Sequence, residues 1–560
     1  MTDECHICVI GSGAGGGPVA LRLAEAGRSV IVLEKGPHLG EKDFAKDEIA
    51  DQRRHLFTPS LRDEPQVVET WDDDAGGWDA TPTAETGWDF WNGSLVGGAT
   101  NLMSGFFHRM KPDDFRLRSA FGPIEGATIA DWPITYDDLE PYYDIVEREV
   151  GVSGQVVNHP FADRRSHEDF PFPPTLEHPF SAHFDAACRA MGLHPFPVPR
   201  AVLSEPAAGR EACAYAGYCG GYGCATGAKG SSRAALLGRA VATGRCEVRP
   251  RAMVRCIESD EKGRAVAAEY VDEHGAVRRV RARVFVVACQ AIETARLLLL
   301  STGPRHPHGL GNRSGIVGQN LIFSAAAAAY GDFPYAKADP AFAEALRSPL
   351  PFINRAVQDF YELRDPATGA RRKGGTLDFM WIAPSPIAAA ISETDEGAVW
   401  GWPLKERLLR YFRGGRHMKC EAFLDWLPSP DSRVTLDPEV KDRFGLPVAR
   451  VRIARHPRNR EVARALADEA EKILRRLGAE GIETSARGAP STNLVGGTCR
   501  FGDDPRTSVL DRDCRAHDVE NLYVTDGSFM PTGGSVPFTW TIYANAFRVA
   551  ARIAETLGPS

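Results

Sequence analysis

The stretch "CHICVIGSGAGGGPVALRLAEAGRSVIVLEKG", residues 5 to 36, reads as a short apolar strand, a glycine turn, an amphipathic helix ending at Gly27, a second strand and an acid at its end. Gly11 suits a tight turn, Gly13 lets the backbone approach a pyrophosphate, and Gly16 allows close packing of helix on sheet. The helix start offers free N–H groups and a positive dipole to phosphates. Glu34, beyond the second strand, is placed to accept ribose hydroxyls, and an acid there argues against a 2'-phosphate. Dinucleotide binding follows; the choice between NAD and FAD does not.

The chain around this start has 560 residues, enough for two or three compact units. Hydrophobic residues make up 43% and charged residues 25%, as in ordinary soluble globular proteins. A net charge of -8, spread along the chain, excludes the basic stripe of a nucleic-acid binder. The longest apolar run, "LIFSAAAAAYG" from Leu321, is too short to cross a bilayer as a helix. No secretory signal pattern opens the chain, so a cytoplasmic protein without direct membrane insertion is expected, co-export with a partner aside. The cysteines are scattered, several in apolar runs such as those of Cys8 and Cys289, which fits buried reduced thiols.

Further segments carry a resemblance. These are "WNGSLVGGATNLMSGFFHR" from Trp91, "DWPITYDDLEPYYDIVE" from Asp131, "RVFVVACQAIETARLLLLS" from Arg283, "GTCRFGDDPRTSVLD" from Gly497 and "NLYVTDGSFMPTGGSVPFTWTIYANAFRVA" from Asn521. In this order, along nearly the whole chain, they resemble the glucose-methanol-choline (GMC) family of FAD-dependent oxidoreductases, nearest to its sugar dehydrogenase and aminoglycoside oxidase branch. The resemblance implies an α/β fold, in which a Rossmann-like FAD-binding domain carries an antiparallel-sheet (α+β) substrate domain. It implies FAD contacts from Gly11, Ser12, Gly13, Ala14, Gly16, Glu34, Lys35, Gly97, Gly98, Thr100, Asn101, Val254, Ala288, Asp526, Gly527, Pro537 and Thr539. With local pattern it divides the chain into an FAD domain of residues 1–155, 208–320 and 485–560, and a substrate domain of 156–207 and 321–484. In the latter, the short runs of "CEAFLDWLPSPDSRVTLDPEVKDRFGLPVARVRIARH" predict antiparallel strands, and "NREVARALADEAEKILRRLG" predicts a helix with a glycine stop. The tryptophans Trp71, Trp78, Trp88 and Trp91 read as a packed lid in preference to a sugar-stacking surface.

Cys213, Cys219 and Cys224 lie among glycines in "CAYAGYCGGYGCATGAKGSSR". The spacing is not that of a zinc site. It resembles the loop that holds a three-iron cluster in membrane-associated members of the family, and equally a structural loop of free thiols in soluble ones. An iron-sulfur cluster and a plain thiol loop both stay open, with Lys229 as a loop anchor.

In the family a histidine takes the hydroxyl proton while the carbinol hydride passes to the flavin. Its position falls here on Leu494, and the second polar position falls on Val536. The expected chemistry is hydride transfer from a CH–OH group of a sugar, polyol or amino-glycoside to flavin N5. Oxygen or a redox partner would take the electrons. Asn493, His108, His417 and Glu421 are the candidates to meet the substrate hydroxyl, although His108 with Arg109 also reads as a structural hydrogen-bonding pair. The alternatives are oxidation or desaturation of a non-sugar secondary metabolite without the usual histidine, and a non-catalytic FAD-binding subunit.

Overall fold

The computed structural model describes residues 2–48, 64–72, 76–86, 90, 93–365, 367–383, 385–395, 399–486, 490 and 494–558. The opening stretch folds as its pattern predicts. Strand β1 (Thr2–Ile10) brings Ile7 to Ile10 into the core, helix α1 (Gly16–Glu25) buries eight of its residues, and β2 (Val30–Leu33) is buried throughout. Gly27, in the left-handed region at φ +79°, ends the helix where a side chain would be strained.

Around this unit forms a sheet in the order β3 (Cys246–Arg249), β2, β1, β4 (Val277–Val287), with all neighbours parallel. Residues Leu522–Val524 add to the far edge of β4, also parallel. That is the strand order of a doubly wound nucleotide-binding sheet, which leaves a crevice at the strand C-termini. The N-terminal half of β4 pairs instead with an antiparallel hairpin, Met253–Ser259 and Ala265–Val271. Helix α2 (Ala291–Leu300) follows β4 directly.

The second sheet is antiparallel and six-stranded. It runs from Glu480–Ser485 through β5 (Ala325–Pro334), β7 (Gly415–Leu424), β6 (Gly375–Trp381) and Arg355–Val357 to Phe196–Pro197. Between β6 and β7 lie helices α3 (Pro386–Asp395) and α4 (Trp402–Gly414). Helix α5 (Pro457–Arg476) matches the predicted one and packs on β5 and β7, with Gly478 at φ +85° beyond its end.

The predicted strands Arg433–Lys441 and Pro447–Ile453 are antiparallel to each other but form a separate sheet with the paired strands Val67–Asp72 and Gly77–Pro82. That pair carries Trp71 edge-on to Trp78 at 5.6 Å, with Arg452 4.5 Å over the Trp78 ring. Trp88 and Trp91 lie outside the described residues. One contiguous apolar core runs through the parallel and the six-stranded sheets and includes the C-terminal helix α6 (Thr539–Leu557).

Candidate active site

A cleft of about 290 Å³ opens where the two sheets meet, lined from one end by the turn after β1 and from the other by β7 and the start of α6. Of the expected cofactor residues, Gly11, Ser12, Gly13, Ala14, Glu34, Lys35, Gly98, Thr100, Val254, Ala288, Asp526, Gly527, Pro537 and Thr539 line it. Three do not. A Cβ on Gly16 would come within 2.0 Å of the Gly11 carbonyl, so this glycine serves helix packing. Gly97 turns the loop at φ +94°, and Asn101 is buried, its Nδ2 donating to the carbonyls of Val96 (3.0 Å) and Gly98 (2.9 Å).

The cradle suits a pyrophosphate. Gly13 and Gly98 face each other so closely that a Cβ on Gly98 would sit 3.1 Å from the Gly13 Cα. The first-turn N–H groups of a helix have no acceptor within the helix. Glu34 is buried, and burial pushes its carboxyl up against the hydrogen bonds from Ser12 Oγ (2.6 Å) and the Gly36 N–H (3.0 Å). Asp526 is likewise raised by burial, while Ser528 N–H (2.8 Å) and Thr294 Oγ1 (2.5 Å) donate to it. These donors fix both carboxylates in orientation.

Several lining residues escaped the sequence reading. Gln290 sits at φ +74° and ψ 147°, a region that is nearly glycine-only, and its Oε1 accepts from the Ile292 N–H (2.8 Å) to cap α2. Glu293 is pulled down to about 2: burial opposes ionisation, but Lys35 and Arg296 outweigh it. Gln66 Nε2 also donates to it (2.8 Å). Phe106, Phe107, Phe423 and Phe538 line the other end. The aromatic positions show no sequence periodicity that marks them as lining, because they come from three separated segments.

At that apolar end Leu494 lines the cleft, as its place in the sequence predicts. Val536 does not: it is fully buried, and the wall is made by its successors Pro537, Phe538 and Thr539. Val536 is thus not among the lining residues, although its neighbour Pro537 is. Asn493 lies outside the described residues.

His417, Lys419, Glu421 and Phe423 share one face of β7, because strand side chains alternate. Only Glu421 and Phe423 reach the cleft. His417 lies further out, its Nδ1 2.6 Å from Asp332 and its ring stacked on Tyr411 at 3.9 Å. Lys419 Nζ is 3.4 Å from Glu421 Oε1, and that carboxylate raises the lysine's pKa.

Directly opposite Glu421 on β6 stands Asp378, fully buried, which holds His108 Nε2 at 2.9 Å. His108 is buried and is not among the residues that line the cleft, although Phe106 and Phe107 are. Arg109, its neighbour, is buried in an ion cluster with Glu140 (2.9 Å), Asp144 (2.5 Å) and Glu147 (2.6 Å).

The cysteine loop packs behind the cleft. Buried Lys229 donates to the carbonyls of Asn101 (3.1 Å), Cys219 (3.2 Å) and Tyr222 (2.8 Å), which makes it the anchor expected of it. Burial opposes ionisation of Cys224, but Lys229 and Thr226 pull it down to about 7. Among the described residues no three His, Cys, Asp or Glu side chains converge to hold a metal ion. The iron-sulfur alternative therefore finds no support in the arrangement of Cys213, Cys219 and Cys224, and all twelve cysteines are free. Also among the described residues, no helix is long and apolar enough to cross a membrane.

Comparison with known proteins agrees with this architecture. Residues 9–73 match the NAD(P)-binding Rossmann-like domain, and residues 174–324 and 428–546 match the two GMC oxidoreductase models. The 6'''-hydroxyparomomycin C oxidase of Streptomyces lividus is 32% identical over 98% of this chain and 91% of its own. The 2-methyl-1,2-propanediol dehydrogenase of Mycolicibacterium austroafricanum is 33% identical over 99% of this chain and 96% of its own. Among solved structures, a formate oxidase of Aspergillus oryzae superposes with a TM-score of 0.65 at 17% identity, covering 99% of both chains. With relatives above 30% identity over almost its full length, and both family models matched in order, the chain belongs to the GMC oxidoreductases, enzymes that act on alcohol groups.

Proposed function

We propose that the protein binds FAD in the cleft and oxidises a CH–OH group of a sugar, polyol or aminoglycoside-like substrate, with Glu421 as the proton acceptor in place of the usual histidine. The observation that carries this reading is that Glu421 lines the same cleft as Leu494. Among the other ionisable lining residues, Glu34 and Asp526 are held by donors from Ser12, Gly36, Ser528 and Thr294, and Glu293 is paired with Arg296.

FAD supplies the hydride acceptor. The turn at Gly11 to Ala14 and the α1 start would hold its pyrophosphate, Glu34 its ribose and Val254 its adenine side. Thr100, Gly98 and Asp526 would line the remainder. The chain's own work is at the substrate hydroxyl. Glu421 accepts the proton, and the Lys419 ammonium beside it compensates its charge. Phe106, Phe423, Phe538 and Leu494 keep water from the reacting carbon. Asp378, beside Glu421 on the same face of the sheet, holds His108.

An aminoglycoside oxidase and a diol dehydrogenase among the full-length relatives support a polyhydroxylated substrate, and both oxygen and a redox partner remain consistent as acceptors. The apolar wall around Leu494 favours a second reading, oxidation or desaturation of a less polar metabolite, because a sugar hydroxyl left unpaired there would cost free energy. The free thiols support a cytoplasmic setting.

Anaerobic titration of the purified protein with sugars, aminoglycosides, diols and simple alcohols, followed by visible absorbance, tests the reading. Bleaching by a polyhydroxylated class is expected. Glu421→Gln should keep the flavin bound and slow its reduction by ~10²- to 10⁴-fold. An unchanged rate in that variant would remove Glu421 from the chemistry.

A further inference from the structure

Antiparallel neighbours such as β6 and β7 need only a short turn between them. Here residues 382–414 intervene, and the helices α3 and α4 within them pack on each other. Helix α4 packs on α3 and on the start of β7, with Leu404, Leu408 and Tyr411 half-buried on the inner side. None of its thirteen residues is fully buried. A surface helix ordinarily hides one apolar stripe and shows a polar face.

This helix shows a second apolar stripe outward. Trp402 is 66% exposed, and Leu409 and Phe412 follow it on nearly the same face. Trp400, just before the helix, is 80% exposed, and Ile387 and Ile391 of α3 are exposed as well. Of the thirteen large hydrophobic side chains exposed among the described residues, seven fall between Ile382 and Phe412. Scattered exposed apolar residues need no explanation, but such a concentration does.

Charge singles out the same helix. In a chain of net charge -8, α4 carries Lys405, Arg407, Arg410 and Arg413 against the single acid Glu406. The acids Glu393, Asp395 and Glu396 precede it in the chain. At 100° per residue, Arg413 and Arg410 lie along one edge of the Trp402–Leu409–Phe412 stripe and Lys405 falls within it. Lys405 lies with its Nζ 5.4 Å over the Trp402 ring.

We propose that α4, with Trp400, is an interfacial anchor that seats the protein on the surface of an anionic lipid bilayer. A helix with aromatic and aliphatic residues on one face and arginines beside them lies in the plane of the headgroups: the rings enter the acyl boundary and the cations meet lipid phosphates. Lying on a bilayer differs from spanning it, and α4 is far too short to span. The anchor would rest beside the substrate end of the cleft. β7 leads directly from α4 to Glu421, and the N–H groups of Ile387 and Ala388 donate to Glu48 (2.7 and 2.8 Å) in the nucleotide-binding segment.

Co-sedimentation of the full chain, as purified, tests this with vesicles of phosphatidylcholine and phosphatidylglycerol in equal parts and with vesicles of phosphatidylcholine alone. Binding to the anionic vesicles is expected, weaker by ~10-fold or more on the neutral ones. Trp402→Ser/Phe412→Ser should weaken binding by at least ~10-fold with the flavin spectrum unchanged, since both side chains are exposed. Arg410→Gln/Arg413→Gln should weaken it to a similar degree on anionic vesicles only. Absence of binding, or binding that the variants leave intact, overturns the proposal. A dimer in sedimentation velocity that Trp402→Ser/Phe412→Ser dissociates, without vesicle binding, would assign the face to a second copy of the chain.

Discussion

Leucine cannot accept a proton, so the proposed deprotonation of substrate falls to another side chain, and Glu421 is the one proposed for it among the carboxylates that line the cleft. Another carboxyl near the end of the same strand has a different character. Asp425 is buried; its Oδ1 accepts from the Gly533 N–H (2.9 Å), and its Oδ2 has no partner. Burial pushes it up to about 7, with Asp114 adding to the effect and Lys373 and the Gly533 and Gly534 amides opposing it. The folded protein therefore keeps this proton from about pH 4 to about pH 7, where the unfolded chain has released it. Stability falls across that window by up to about 1.4 kcal/mol per pH unit and is flat above it. Asp425→Asn should abolish the loss. Thermal unfolding of the variant and the parent should agree near pH 4 and diverge in the variant's favour by pH 8; a constant difference would contradict the assignment.

At the scale of elements, β7 shows why a strand can carry a site on one side and stability on the other. Met418, Cys420 and Ala422 are buried on its second face, where α5 packs, while Lys419 and Glu421 project toward the cleft side. The β1–α1 turn works by contact instead of exposure. Because the Gly11 carbonyl occupies the space where a Gly16 side chain would begin, Gly16→Ala must push α1 off the sheet. We expect it to destabilise the fold by about 1–3 kcal/mol, as overpacked cores do, and to weaken FAD retention, measured by flavin release on dilution. Retention equal to that of the parent would show that the turn tolerates the shift.

Across the whole molecule, His108 and Asp378 join the loop after Gly98 to the six-stranded sheet by one buried hydrogen-bonded pair. Removing one partner strands the other in the core. His108→Ala should lower stability by about 1–3 kcal/mol yet slow flavin reduction by less than ~10-fold, because the ring is buried and does not line the cleft. Rapid-reaction kinetics beside thermal unfolding separates the two effects. A rate loss of several decades with full stability would return His108 to the chemistry.

Residues 5–36 were legible from sequence because strand, turn, helix and acid are all set by local periodicity and by the steric limits on glycine. The helix at 457–476 was legible for the same local reason, and the place of Leu494 through the family resemblance alone. What faces the cleft was not. Val536 and Pro537 are adjacent in sequence, but only the turn of the loop decides that the second lines the wall. His108, His417 and Glu421 are three ionisable residues that the sequence leaves equivalent. Pairing between β6 and β7, set across a long insertion, points Glu421 into the cleft, puts Asp378 beside it and leaves His417 further out. The sequence alone determined the nucleotide-binding unit, where the interactions are short in range. Which of the candidate residues lines the cleft was decided by tertiary structure, because strand register and the meeting of two sheets depend on contacts hundreds of residues apart.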